Sequence, residues 1–438
     1  MIPMLACCLI GVLFFCTVAQ ARQEENGWLS DIDMDWGGHL RAISSVSFLE
    51  EDSIYQYADT GPYSDGQFEL RVKNQIYLGP RWSMQTHYEL VGLGGDTYEN
   101  TQHLEQELPP HLEGYLPSSQ GTNDDRRFFN LTRQITEEEN YLVYHRLDRL
   151  NLTCTLDWGT MRIGRQALTW GDGMLFNPMD LFNPFKPTTV QRDYKTGDDM
   201  IYLQFPTGEA EIQLLYLPRR DPDTGDLQSD QSSYALKYHT PAGFFELDLM
   251  AARHYDDDIV GMGATGYLRD AAWRINTTYT RISEESSQDD FIQIVANMDY
   301  AWMWAGKNVY GLLEFYYNGL GRNGNYDHII TDSSLMKRLE RGELYTIGRY
   351  YLAGQVQIEL HPLVKLDTLA IVNLYDASGI LQPQALWDIT SNIQVIVGAQ
   401  GHWGGGNSEY GGYDVSVANA TINTAPADRI FFWLTYHF

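Results

Sequence analysis

The sequence predicts an all-β fold, a transmembrane antiparallel up-and-down β-barrel of about 18 strands, with 16 as the alternative count. Three observations predict it: an export signal at the amino terminus, long segments that alternate apolar and polar residues, and an aromatic last residue behind such a segment. Of 438 residues, 29 are Tyr and 11 are Trp, and the mean hydropathy is −0.35. A membrane barrel suits this composition, because only one face of each strand meets lipid.

The first residues predict export. Residues 1–18 are apolar and almost uncharged, and residues 19–21 form the A-x-A pattern of a signal-peptidase site. The apolar stretch is shorter than the roughly 20 residues that a membrane-spanning helix needs. We therefore predict a signal peptide at residues 1–21, a periplasmic segment at 22–35 and a barrel at 36–438.

The clearest predicted strand covers residues 68–78. Its apolar face carries Phe68, Leu70, Val72, Ile76 and Leu78. Its polar face carries Glu69, Arg71, Lys73, Gln75 and Tyr77. Strands of about ten residues exceed the average of about five or six in globular proteins. They agree with the roughly nine to eleven residues that cross a bilayer at a tilt.

Short turns alternate with long polar loops along the chain. Tight turns are predicted near residues 79–80, 158–160, 207–208, 241–243, 270, 305–306, 361–362 and 391–392. The longest segments between them are residues 94–140, 167–198, 320–347 and 404–427. Outer-membrane barrels have short turns on the periplasmic side and long loops outside, so this alternation predicts the orientation of the chain.

The last residues form the most specific signal. Phe438, Tyr436, Leu434 and Phe432 share one face of an alternating segment. A terminal Phe in this setting resembles the carboxy-terminal signal that the barrel-assembly machinery recognises in outer-membrane proteins. We expect that machinery, outer-membrane lipid and lipopolysaccharide as partners. We also expect export by the general secretory route to a Gram-negative-type outer membrane.

A barrel of this size predicts a lumen that holds water or folded-in loops, because side chains alone cannot fill it. Residues 161–185 begin as a strand and continue into a loop with two Asn-Pro pairs. The apolar residues of that loop are Met174, Leu175, Phe176, Met179, Leu181, Phe182 and Phe185. Since they need burial, we expect the loop to fold into the barrel and narrow it. The alternative is a loop that packs on the wall or rim without touching solutes.

A family resemblance supports this interpretation. Gly164-Arg165-Gln166 followed by Trp170-Gly171-Asp172-Gly173 resembles the GRQ…(W/Y)GDG element of alginate-export-type and related outer-membrane porin families. The resemblance implies a large barrel, commonly of 18 strands, with a charged lumen and inward loops. It implies that Arg162, Arg165 and Asp172 lie at the lumen or its constriction. An exporter of a polyanion needs a basic lumen, whereas the net charge here is −28, so the resemblance indicates the barrel type rather than alginate.

Charged side chains on the inward faces are expected to set the selectivity of the pore. The predicted pore-lining and constriction residues are Glu69, Arg71, Lys73, Arg149, Arg162, Arg165, Asp172, Asp180 and Lys186. The acid excess is concentrated elsewhere, in the segment from Asp96 to Glu139. That segment is interpreted either as a solvated outer loop bridged by divalent cations among lipopolysaccharide, or as a funnel for cationic solutes. A nucleic-acid partner is disfavoured, because the chain would repel phosphate.

No motif predicts catalysis, a cofactor or a metal site. The chain lacks G-x-S-x-G, P-loop and H-E-x-x-H patterns, and a calcium-like start at Asp31 has Trp36 in the glycine position. We therefore predict a channel, not an enzyme, that allows passive diffusion or export of small polar or charged solutes. Two alternatives remain open: a barrel enzyme of lipase or protease type, with catalytic groups from separate strands, and a non-conducting surface scaffold.

Overall fold

The computed structural model describes residues 32–50, 53–56, 61–107, 123–189, 194–283, 289–324, 326–417 and 420–438. These residues form a closed antiparallel β-barrel. The predicted signal peptide at residues 1–21 lies outside them. The first strand begins at Ile32, so the predicted start of the barrel at residue 36 falls inside it.

Eighteen strands form the wall in the described part of the chain, which confirms the predicted count. They are β1 (Ile32–Phe48), β2 (Tyr63–Leu78), β3 (Trp82–Gly95), β4 (Tyr141–Leu156), β5 (Gly159–Gln166), β6 (Asp198–Thr207), β7 (Ala210–Arg220), β8 (Leu227–Ala242), β9 (Phe245–His254), β10 (Asp257–Leu268), β11 (Ala271–Arg281), β12 (Phe291–Trp304), β13 (Lys307–Asn318), β14 (Tyr350–His361), β15 (Val364–Asn373), β16 (Gly379–Asp388), β17 (Ile393–Trp403) and β18 (Asp428–His437). Each strand pairs antiparallel with the next.

The barrel closes where β18 pairs with β1. Leu434 lies opposite Ala42 in this pairing, and the backbones of Gly38 and Phe438 exchange two hydrogen bonds of 2.9 and 3.1 Å. A Cβ atom on Gly38 would lie 2.6 Å from the ring of Phe438, so the seam requires glycine there. Closure leaves no open sheet edge, as hydrocarbon demands, because lipid offers no partner to a backbone N–H or C=O.

The two ends of the barrel differ in their connections. All eight predicted tight turns join consecutive strands at one end, which assigns that end to the periplasm. The connections at the other end are mostly long, with one clear exception. Tyr255 and Asp256 alone join β9 to β10, both with positive φ. The Tyr255 ring lies between the guanidinium groups of Arg219 and Arg341, at 4.3 and 4.0 Å, which fixes this turn beneath a longer loop.

The outer loops contain the remaining secondary structure. Helix α1 (Asp96–Glu107) and a short strand (Thr132–Glu138) follow β3, and helix α2 (Ser333–Glu340) lies between β13 and β14. Two 3₁₀ segments (Ile54–Gln56 and Tyr326–Thr331) and a small hairpin (Asp414–Val417 with Ala420–Asn423) complete the described part. Among the described residues, no helix has the length and apolar character to cross a bilayer.

The outward face of the strands is apolar. The four residues of the predicted assembly signal, Phe438, Tyr436, Leu434 and Phe432, are 41–49% exposed and point away from the lumen. Their role in assembly stays a prediction. Large aromatic residues cluster beside the periplasmic turns, as in the girdles of membrane barrels: Trp82, Trp158, Phe244, Trp304, Trp387 and Phe438.

We expect Leu434→Arg to destabilise the folded barrel by about 2–4 kcal/mol, the usual cost of a basic residue on the lipid face near the midplane. The fraction of heat-modifiable, folded protein as a function of urea measures this. Gln400→Glu is the matched control, because Gln400 faces the lumen beside Arg429 and accepts a 3.1 Å bond from its Nε. Equal stability of the two variants would contradict the lipid-facing position of Leu434.

Candidate functional site

The lumen is crossed by the connection between β5 and β6, of which residues 167–189 and 194–197 are described and are here called the inward loop. Trp170, Met179 and Phe182 of this loop are buried against the inner wall formed by β6 to β10. Leu175 and Phe176 pack on the inner wall of β12 to β15, and the Phe176 ring stacks on Tyr316 at 4.4 Å. The loop therefore contacts two separate parts of the wall from inside the barrel. Its apolar side chains find burial there, as the sequence required.

Glu314 fixes the tip of the inward loop to β13. Its carboxylate accepts hydrogen bonds from the backbone N–H groups of Met174, Leu175 and Phe176, at 2.8, 3.0 and 2.6 Å. Asn297 adds a fourth donor at 2.9 Å, and Glu314 is completely buried. One carboxylate thus satisfies three consecutive N–H groups that would otherwise be unpaired in the lumen. The sequence analysis missed Glu314, whose only signal was a lone carboxylate among apolar inward positions of β13.

Two residues of the predicted constriction serve as further anchors of the loop. Asp172 accepts a 2.8 Å bond from the hydroxyl of Thr265 on β10. Asp180 forms a buried ion pair with Lys195, which also donates to the carbonyl of Leu168 at 2.6 Å. Burial raises the pKa of Asp180 to about 6, although the ammonium of Lys195 opposes that shift. Both carboxylates hold the loop in shape; Asp180 is buried, whereas Asp172 is half-buried.

The inner wall of β2 to β4 carries a network of paired charges. Arg71 contacts Glu89 at 2.6 Å, Asp148 at 2.8 Å and Glu69 at 3.4 Å. Arg149 contacts Asp148 at 2.6 Å. Three predicted pore residues, Glu69, Arg71 and Arg149, therefore meet here, and each is less than a tenth exposed.

A β-bulge in β4 brings the charged side chains of this network together. In the pairing of β3 with β4, Arg149 lies opposite His87 and Leu147 lies opposite Tyr88, so Asp148 is an extra residue. The extra residue lets two consecutive charged side chains, Asp148 and Arg149, serve the same inner surface, which strict alternation forbids.

Arg165 lies away from solvent at the outer end of β5. Its guanidinium contacts Asp199 at 2.9 Å and Asp124 at 3.0 Å, and donates to the carbonyl of Phe129 at 2.7 Å. Gly164 has a φ of +116°, and this local break in the strand turns Arg165 inward although Arg162 already faces the lumen. Arg165 is 1% exposed, and its bonds to Asp124 and Phe129 tie the outer loop at residues 123–131 to the wall.

Other basic side chains do face lumen water. Lys73 bonds to the hydroxyl of Tyr194, with its ammonium 4.3 Å from the ring centre. Arg162 donates to the hydroxyl of Thr153 at 3.2 Å. Lys186 lies 5.8 Å from the ring centre of Tyr345. Desolvation inside the barrel, and next the charge of Arg429, lower the pKa of Lys186.

A polar cavity of about 260 Å³ lies beside the inward loop. Its lining includes Arg127, Lys186, Tyr194, Lys195 and Tyr345. The cavity is therefore edged by three basic groups and two phenol rings. Of the predicted set, the structure brings Lys186 to this cavity and Lys73 to Tyr194 on its edge, while Arg165, Asp172 and Asp180 anchor loops.

The loops β13–β14 and β17–β18 meet at Glu409 at the outer end of the barrel. This carboxylate accepts hydrogen bonds from the Tyr351 hydroxyl at 2.5 Å, the Asn373 amide at 2.8 Å and the Ile347 N–H at 2.9 Å. Its own N–H donates to Asp376 at 2.9 Å. Burial raises the pKa of Glu409 to about 7, since its hydrogen bonds only partly compensate for lost hydration.

A buried Ser–His–Glu arrangement bears on the enzyme alternative. The hydroxyl of Ser233 lies 2.8 Å from Nδ1 of His254, and Nε2 of His254 lies 3.7 Å from Glu343. Ser233 is fully buried, and its oxygen accepts a 2.9 Å bond from Arg219. A nucleophile needs a path for its substrate, and the buried hydroxyl of Ser233 has none. The arrangement fixes the outer end of β8 and β9.

The closed wall, the charged lumen and the inward loop together define a porin-like β-barrel fold. No protein-family model and no curated protein sequence matches the chain. Solved structures do match. OccAB2 of Acinetobacter baumannii has a TM-score of 0.52 at 10% identity and covers 94% of this chain and 99% of its own.

Two further structures have the same fold. OccAB1 of Acinetobacter baumannii has a TM-score of 0.50 at 8% identity and covers 95% of this chain and 99% of its own. A double variant of OccD1 (OprD) has a TM-score of 0.50 at 8% identity, with 95% and 97% covered. Such identities establish the fold alone. The likeness confirms the predicted fold, a large closed antiparallel β-barrel.

We expect Glu314→Ala to loosen the inward loop, because three N–H groups lose their acceptor at about 1–3 kcal/mol for each unsatisfied group. Hydrogen exchange of residues 170–180 should become faster, and single-channel current should become noisier. Asp367→Ala is the control, since Asp367 is a buried lumen carboxylate that binds Gln355 at 2.6 Å and not the loop. Equal loop protection in both variants would contradict the anchoring role.

The contact at Glu409 between the β13–β14 and β17–β18 loops should become less stable as pH rises through about 7. The folded pKa of Glu409 lies above the ordinary value of 4.5, so its contribution is complete below about pH 4.5 and is lost on ionisation. This upward shift in the pKa of Glu409 corresponds to about 3 kcal/mol of folding free energy. Hydrogen exchange of residues 343–349, corrected for its intrinsic pH dependence, should be faster at pH 8 than at pH 5. Glu409→Gln should remove this dependence, and its persistence in that variant would assign the effect to another group.

Proposed function

We propose that this protein is an outer-membrane channel through which small polar or charged solutes diffuse passively. The observation that carries the proposal is the one-sided position of the inward loop. The apolar part of the loop, from Trp170 to Phe182, packs against the inner faces of β6 to β10 and β12 to β15. The inner wall of β16 to β18 and β1 to β5, here called the second wall, is contacted instead by polar groups near the end of the loop, at Tyr194, Lys195 and Gly197. Passage follows this second wall.

The side chains along the second wall suit a water-filled path. They are polar and half-buried, and they include Gln75, Lys73, Gln384, Gln400, His402 and Arg429. Amide, imidazole and ammonium groups replace hydration for a polar solute, and a narrow lumen strengthens their electrostatic effect. An apolar plug at this position would instead indicate the scaffold alternative.

The charges along the path favour anionic solutes. Glu69, Glu89 and Asp148 are paired with Arg71, so they contribute little net field. Among the described residues, Lys73 and Arg162 form no ion pair with a carboxylate, and neither do Lys186 and Arg429. The path therefore has a positive excess although the whole chain carries a net charge of −28.

The enzyme alternative finds less support. The described Ser–His–Glu arrangement is the strongest candidate for it, and Ser233 there is inaccessible and already bonded to Arg219. The solved structures with the same fold are substrate-specific outer-membrane channels, which supports passage of solutes rather than chemistry.

Charge removal tests the path. We expect Lys73→Gln with Lys186→Gln to reduce the anion-to-cation permeability ratio by about two- to fivefold, since each charge acts in a partly desolvated lumen. Reversal potentials in a KCl gradient across a planar bilayer measure this ratio. Lys337→Gln is the matched control, because Lys337 is exposed on α2 outside the lumen. An unchanged ratio in the lumen variant, or an equal change in the control, would contradict the proposed path.

A further inference from the structure

Three side chains that can bind a metal ion meet in the outer loop between β3 and β4. Glu99 and His103 lie on α1, and Glu139 lies in the turn after the short strand Thr132–Glu138. One possible ligand atom from each of these residues lies within 4.8 Å of both others. The sequence predicted no metal site, because Glu139 is distant in sequence from the helix and no motif joins them.

The helix holds two of these groups in register. Glu99 and His103 are four residues apart, so they occupy the same face of α1 one turn from each other. The helix is fixed to the rim of the barrel by hydrogen bonds from Tyr98 to Glu137, at 2.7 Å, and from Tyr63 to Asn100, at 3.2 Å. The site is therefore built on anchored elements.

The spacing of the donor atoms allows all three to reach one ion. Nε2 of His103 lies 3.4 Å from Oε1 of Glu139, and the donor atom of Glu99 lies within 4.8 Å of both. Two ligands bound tetrahedrally to one ion, with bonds of about 2.0–2.1 Å, lie about 3.3–3.4 Å apart.

The donor set identifies the class of ion. One imidazole nitrogen and two carboxylate oxygens are the ligands of a zinc site that keeps a fourth position for water. Calcium needs six to eight oxygen ligands, and magnesium prefers an octahedral oxygen shell, so neither suits this set. The acid-rich segment from Asp96 to Glu139 raises the local concentration of cations around it.

We propose that Glu99, His103 and Glu139 bind one Zn²⁺ ion on the outer surface. The ion joins α1 to the turn after the short strand, and so stiffens the rim of the outer mouth between β3 and β4. This proposal does not rest on the proposed channel function, since it is argued from the three ligands alone.

The test uses the intact folded protein in detergent, prepared without a histidine tag and stripped with a chelator. Calorimetric titration with ZnCl₂ should show one ion per chain, and Co²⁺ should give the visible absorption of a four-coordinate site. His103→Ala and Glu139→Gln should each weaken zinc binding by about tenfold or more. Zinc should also slow hydrogen exchange in α1.

His328→Ala is the matched control. His328 and Asp327 also place Nε2 and a carboxylate oxygen 3.4 Å apart on an exposed loop, without belonging to a three-ligand group. Heat modifiability confirms that each variant is folded. Zinc affinity that falls only in the His103 and Glu139 variants supports the site. Unchanged affinity in those variants, an equal loss in the control, or displacement of zinc by equimolar Ca²⁺ overturns it.

Discussion

The need to pair every backbone N–H and C=O inside hydrocarbon is the constraint on which the rest of this structure depends. A sheet satisfies it only when its first and last strands meet, and here β18 meets β1 along a register that includes Leu434 opposite Ala42. Closure explains why the last residue packs over Gly38, where a side chain would collide with its ring. It also fixes the width of the lumen, because eighteen strands cannot close around side chains alone.

The wide lumen has room for the apolar side chains of the inward loop. The inward loop buries its apolar side chains on the inner wall, which removes them from water and narrows the opening. Burial of a loop exposes its backbone groups to a poorly hydrated interior, and an unpaired N–H group there is costly. Glu314 accepts hydrogen bonds from three consecutive N–H groups, those of Met174 to Phe176. These bonds fix the side of the lumen that the tip of the loop occupies. The proposed solute path depends on the side of the lumen that the loop occupies.

Net charge and lumen charge are separate properties in this protein. The chain is strongly acidic, yet its acidic groups in the lumen are largely matched by arginines, as Asp148 is by Arg71 and Arg149. A matched pair has a weak field at a distance, whereas an unmatched ammonium such as that of Lys73 acts on any ion that passes nearby. Selectivity is therefore expected to depend on a few unmatched groups and not on the sum over the chain.

The sequence by itself determined the strands and tight turns of the barrel wall. Alternation along each strand is a local property of the pleat, and turn residues act locally too, so residues 68–78, the eight tight turns and the last strand could all be predicted. Only the tertiary structure decided the roles of the charged residues. Arg165 meets Asp124 through the path of an outer loop, and the bulge at Asp148 changes which side chains face inward. Partners of this kind are distant in sequence, and their meeting depends on barrel curvature and loop packing, which no local pattern encodes.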